Sequence, residues 1–279
     1  KMYNTLSINL ADTLDDNSLR ALAYSTKFKI NLYPNMKLSE ESLKKSIDAT
    51  KLMPSKRIEM DNSLDFCALE ILNNPTAQQN KSISTLNSLL QDIEANNLYR
   101  AQIHCFFLLA ICNLLKNEEK ATFLAKEYVE KAINLSTTYG IVGYLWRLHN
   151  LQAIVAIRLE FESQHVYKIF NTVFDMLKRQ GLLYIGNRDT CEGNILALSN
   201  LGYYLEEHKF ESLFYQTMSL VTFIGQEHSV YKTQESFDNP VNAFLVQQYA
   251  KARKKEVLFA NTIPLNLLWD PQTNYLIIL

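Results

Sequence analysis

Seven glycines and six prolines are few for a chain of 279 residues. Sheet-rich folds joined by many tight turns draw heavily on both residues, so their scarcity excludes a turn-dense β architecture and favours long helices. Cysteine is scarce as well. Cys67, Cys105, Cys112 and Cys191 include no close pair and lack the two-plus-two spacing of a zinc site. Cys105 and Cys112 share one helix face but stand about 10 Å apart along its axis, too far to bridge. All four read as small buried apolar groups in a reducing, cytoplasmic setting. Neither charge dominates: 28 Lys and Arg face 29 Asp and Glu, a net charge of −1. A general nucleic-acid binder relies on a basic excess to neutralise phosphates, so nucleic acid is expected only through a domain outside this chain. No run of about 18 apolar residues exists and no signal peptide leads the chain, so neither a membrane span nor secretion is expected. The chain opens on Lys1 and closes inside Tyr275-Leu-Ile-Ile-Leu279, which reads as the two boundaries of a piece of a larger protein.

What is present is a globular composition, 47% apolar and 20% charged, in a chain long enough for a sizeable core. The organising stretch runs from Tyr99 to Ser136. Tyr99 to Leu115 is apolar on nearly every face, Asn117-Glu118-Glu119 breaks it, and Ala121 to Leu135 places Phe123, Leu124, Tyr128, Val129, Ala132 and Ile133 on one side. That is the form of a helical hairpin that stacks on further hairpins.

Residues 1–75 read as an irregular helical region in four pieces. Met2 to Leu14 and Ser18 to Tyr33 come first, the second preceded by capping residues in Asp15-Asp16-Asn17-Ser18. A helix carrying Leu43, Ile47 and Leu52 then ends at Pro54, and Ile58 to Leu72 follows. Residues 76–255 read as regular helical pairs: Ser82 to Ala95, the central hairpin, Tyr139 to Phe161, Val166 to Arg179, Ile195 to Leu205, Phe210 to Phe223 and Val241 to Lys254. Helix starts recur every ~20 residues, so one hairpin takes ~40, within the range of helical repeats. Residues 256–279 change character. Short apolar runs flank Asp270-Pro-Gln-Thr-Asn274, which predicts a small β-hairpin that packs on the last helices, joins a sheet in a part of the protein outside this chain, or meets a second copy as a homodimer.

Two segments resemble tetratricopeptide repeats. Glu127 to Leu135, with Ala125, Val129 and Ala132, is similar to the second helix of such a repeat. Leu201-Gly-Tyr-Tyr-Leu205 followed by Phe210 is similar to a first helix and its turn, with Gly202 as the small residue at a close approach. The likeness extends over about residues 76–225. It implies an all-α fold, an α-solenoid of stacked helical hairpins, and a concave groove that binds a peptide or protein. In bacteria, similar repeats also form sensory parts of transcription regulators and signalling ATPases. On this architecture Tyr144, Arg147, Asn150, Asn194, Asn200 and Tyr203 fall on first helices, which line the groove. Asparagine there pairs with a peptide backbone and arginine takes a carboxylate.

No catalytic set emerges. The five histidines lack zincin spacing, and Glu162 with His165 is a single copy of an offset that di-iron bundles use twice, so no metal or cofactor is expected. Lys251, Arg253, Lys254 and Lys255 read as cations at a helix C-terminus. Arg158 and His165 match the arginine–histidine spacing of helical ribonucleases of the HEPN type, which gives an enzymatic alternative to the leading expectation. That leading expectation is a non-enzymatic protein- or peptide-binding module, a sensor or scaffold within a larger bacterial signalling or transcription-regulating protein.

Overall fold

The computed structural model describes residues 2–31, 36–73, 79–116 and 118–179. Among these residues the fold is all-α, with nine helices, one 3₁₀ turn and no strand. The helices are α1 (Met2–Thr13), α2 (Asn17–Asn31), α3 (Met36–Leu52), α4 (Lys56–Asn73) and α5 (Gln79–Ala95). They continue with α6 (Tyr99–Leu115), α7 (Glu119–Thr138), α8 (Leu145–Arg158) and α9 (Ser163–Arg179), and the 3₁₀ turn spans Val142–Tyr144. The helices expected beyond Arg179, the basic cluster at Lys251–Lys255, Cys191 and the β-hairpin of 256–279 lie outside the described residues. No described helix is long and apolar enough to cross a membrane.

The chain divides into two compact units, Lys1–Leu109 and Ala110–Leu279. In the first, α1 packs on α2, α2 on α3, α3 on α4 and α4 on α5. In the second, α7 packs on α8 and α8 on α9. Each unit is therefore built of helical hairpins packed in consecutive pairs.

Four of the helices end in the same way. Asp15, Asn97, Gly140 and Glu160 take positive φ angles of 51°, 53°, 64° and 53° immediately past α1, α5, α7 and α8. In each, the next amide reaches back five residues: Asp16 to Ala11 O, Leu98 to Ile93 O, Ile141 to Ser136 O and Phe161 to Ala156 O, at 2.9–3.1 Å. The positive-φ residue itself donates to the carbonyl three back, as Gly140 does to Thr137 at 3.3 Å. This is the Schellman closure, which satisfies the last carbonyls of a helix and turns the chain sharply. Only one of the four positions is glycine, so the scarcity of glycine did not prevent tight reversals. After the first of them, Asp16 caps α2 by accepting the Leu19 amide at 3.0 Å.

The same closure corrects the expected helix from Tyr139 to Phe161. Gly140 ends α7, residues 142–144 form a 3₁₀ turn, and α8 starts only at Leu145. The inward side of α7 differs from the expected one in part. Val129 and Ala132 are buried as expected, with Ala125, but Phe123 and Leu124 are exposed, and Ala121, Thr122 and Ser136 complete the buried positions. Small residues recurring at three- and four-residue steps let a neighbouring helix approach closely.

In the first unit, α2 and α3 meet through small and hydroxyl residues. Ser39 Oγ donates to Phe28 O at 2.9 Å and Ser46 Oγ to Ala21 O at 2.7 Å, and both serines are fully buried. Ser46 Oγ also lies 2.8 Å from Asn62 Oδ1, and Asn62 Nδ2 donates to Thr50 Oγ1 at 3.1 Å, so one buried polar network ties α2, α3 and α4. α6 is buried along almost its whole length, including Cys105 and Cys112, as its apolar composition requires. Cys67 is also buried, and burial pushes its thiol up to about 12, so it stays protonated.

Candidate functional site

In the second unit, the reversal between α7 and α8 carries an aromatic and basic surface. The Schellman closure at Gly140 throws Tyr139 outward at 47% exposure, and the following 3₁₀ turn presents Val142 at 56%. Tyr144 closes that turn and is half-buried. Arg147, one turn into α8, is half-buried with its guanidinium carbon 5.5 Å from the ring centroid of the buried Trp146. Stacking of this kind holds an arginine side chain in place while leaving part of its donor fork available.

The six expected groove residues have different fates. Tyr144 and Arg147 stand close in sequence at the surface of this turn. Asn150 is fully buried within α8. Asn194, Asn200 and Tyr203 lie outside the described residues.

Arg158 and His165 belong to the same unit. Arg158 Nη1 donates to Leu114 O at 2.6 Å, near the last turn of α6, where a carbonyl has no partner within its helix. His165 is exposed and its ring meets Phe161 edge-on, with centroids 5.3 Å apart. Lys126 sits 5.4 Å from the centroid of the same Phe161 ring.

A second feature, in the first unit, is a cleft of about 500 Å³ bounded by α3, α4 and α5. Ile47, Pro54, Phe66, Cys67 and Leu89 supply its mostly apolar lining. Phe66 is 47% exposed, and Leu52 at the end of α3 is 71% exposed. Sequence reasoning did not find this cleft. It carries no distinguishing pattern in the sequence, because Phe66 stands three residues before the buried Leu69 and so reads as part of the same inward side of α4.

On the far side of α4 from its cleft residues, Asp65 is only 2% exposed. Its Oδ2 accepts from Ser25 Oγ at 3.3 Å and lies 3.4 Å from Lys29 Nζ on α2. Burial raises its carboxyl to about 7, Lys29 opposes that rise, and Asp61 adds to it. Among the described residues no group of three or more histidine, cysteine, aspartate or glutamate side chains is placed to hold a metal ion. No protein-family model, curated protein or solved structure is similar to this chain.

Proposed function

We propose that this chain is a non-enzymatic protein- or peptide-binding module of tetratricopeptide-like character, an α-solenoid serving as the sensory or scaffolding part of a larger bacterial signalling or transcription-regulating protein. The consecutive pairing of helical hairpins supports it, as does the small-residue face of α7, which matches the second helix of such a repeat. The observation that carries the reading is the surface formed by Tyr139, Val142, Tyr144 and Arg147 between α7 and α8. Tyrosine and arginine are enriched at interface hot spots: tyrosine buries a large rigid ring at low entropic cost, and arginine offers a planar fork of donors. Here the backbone that carries them is fixed by the closure at Gly140 and by the start of α8, so little main-chain freedom remains to be lost on binding.

The test is titration of the full chain against a partner captured with it, comparing the parent with Tyr144→Ala and Arg147→Ala. Each substitution weakens binding at least tenfold if the turn is a hot spot, with melting temperature nearly unchanged. Equal affinities in all three proteins exclude the turn.

The ribonuclease alternative draws only on the exposure of His165. Arg158 already has a structural role at the end of α6. Cleavage of a labelled RNA that disappears in His165→Ala would favour it over the binding module.

A further inference from the structure

We propose that the cleft between α3, α4 and α5 in the first unit is a binding site for an uncharged, largely apolar small molecule. Its volume of about 500 Å³ lies within the roughly 300–1,000 Å³ typical of small-ligand sites. Size alone names no ligand class. The class follows from where the polar side chains of the lining are already engaged.

Each of the hydroxyls has a partner within the protein. Thr50 Oγ1 donates to Ser46 O at 2.8 Å, Ser63 Oγ to Glu59 O at 2.9 Å, and Thr85 Oγ1 to Lys81 O at 3.0 Å. Both ends of the Asn62 amide are held, by Ser46 and by Thr50. Of the two charged lining residues, Lys51 meets Asp48 at 3.0 Å and Glu59 meets Lys56 at 3.8 Å. The protons of all three hydroxyls are therefore committed to main-chain carbonyls, and a ligand acceptor that took one would exchange one hydrogen bond for another with little net gain. An anion entering the cleft would face Glu59, and a cation would face Lys51, while the opposite charge is already matched in each case. An apolar body meets none of these costs and gains from covering Ile47, Phe66 and Leu89. Phe66, half-exposed at the mouth, is the residue that such a ligand would cover most.

This site belongs to the first unit and is independent of the proposed partner surface in the second. Failure of one therefore leaves the other standing. The experiment is a fluorescence titration of the full chain with N-phenyl-1-naphthylamine, an uncharged apolar dye, beside 8-anilino-1-naphthalenesulfonate, the same ring system carrying a sulfonate. The expected result is saturable one-to-one binding of the neutral dye, with the sulfonate at least tenfold weaker. Thr85→Trp, which fills the cleft from α5, and Phe66→Ala, which removes its outer wall, each weaken the neutral dye at least tenfold. Phe123→Ala, at an exposed apolar position in the second unit, leaves the titration unchanged. No binding of the neutral dye, equal binding of both dyes, or a neutral-dye titration unmoved by Phe66→Ala would each overturn the assignment.

Discussion

Ser46 Oγ on α3 lies 2.7 Å from the carbonyl oxygen of Ala21 on α2, with both residues fully buried. Seven residues away along each helix, Ser39 repeats the contact with Phe28 O at 2.9 Å. Two antiparallel helices are thus held by side-chain hydroxyls donating to main-chain carbonyls, which needs a close approach that larger side chains would prevent. Ser46→Leu should cost more than Ser46→Ala, because it adds overpacking to the loss of the donor. Ser46→Ala alone should cost about 1–3 kcal/mol, since Asn62 Oδ1 also loses its neighbour. Chemical denaturation of the two variants checks both the order and the size.

Three of the four Schellman reversals place an ordinary residue in the left-handed region, where a Cβ costs about 1–2 kcal/mol, less for Asn and Asp. Glu160→Gly should therefore stabilise the protein by about 1 kcal/mol. Gly140→Ala should destabilise it by a similar amount, for conformational reasons alone, because a Cβ there meets nothing within 4 Å. Opposite shifts in melting temperature are the expected outcome.

Asp65 makes stability depend on pH in an uncommon direction. Its carboxyl titrates at about 7 when folded, against roughly 3.9 in an unfolded chain. Between those values the folded protein holds more protons than the unfolded one, so stability falls as pH rises from about 4 to about 7 and levels off above. The facing groups are Lys29, Ser25 and Asp61: Lys29 and the Ser25 hydrogen bond oppose the rise that burial causes, and Asp61 adds to it. Asp65→Asn should flatten that slope and be at least as stable as the parent at pH 8, measured by urea denaturation across the range.

Arg158 joins α8 to the end of α6 through Leu114 O. A hydrogen bond from a charged donor to a part-buried carbonyl contributes about 1.5–3 kcal/mol, so Arg158→Ala should destabilise by roughly that amount. Circular-dichroism melting should register the loss, whereas His165→Ala, at an exposed position, should leave it nearly unmoved.

The positions of the described helices were legible because apolar residues recur at helical steps and few breakers interrupt them. α5 and α6 end where the apolar periodicity stops. The reversal at Gly140 was less legible: Tyr139-Gly-Ile-Val-Gly-Tyr144 is apolar enough to read as helix, and a backbone closure rather than a polar loop ends α7. Inward faces built of small residues were hidden for a related reason. Ser39 and Ser46 look like a solvated face until their acceptors on the α2 backbone are known, and Thr122 and Ser136 carry no apolar signal that would set them inward ahead of Phe123 and Leu124. Of the candidate site, Tyr144 and Arg147 could be read from composition and position. The burial of Asn150 could not, because α8 is buried on nearly every side, Trp146 and Ala153 to Ile157 included, rather than along one apolar stripe.

The binding-module reading is tested most directly by photocrosslinking in cells. Tyr144→p-benzoylphenylalanine and Arg147→p-benzoylphenylalanine place the reactive group on the α7–α8 turn, and Glu127→p-benzoylphenylalanine places it on the exposed side of α7 as a comparison. The account predicts a discrete crosslinked partner from positions 144 and 147 that is absent from position 127. The same adducts from all three positions, or none from the turn, would contradict it.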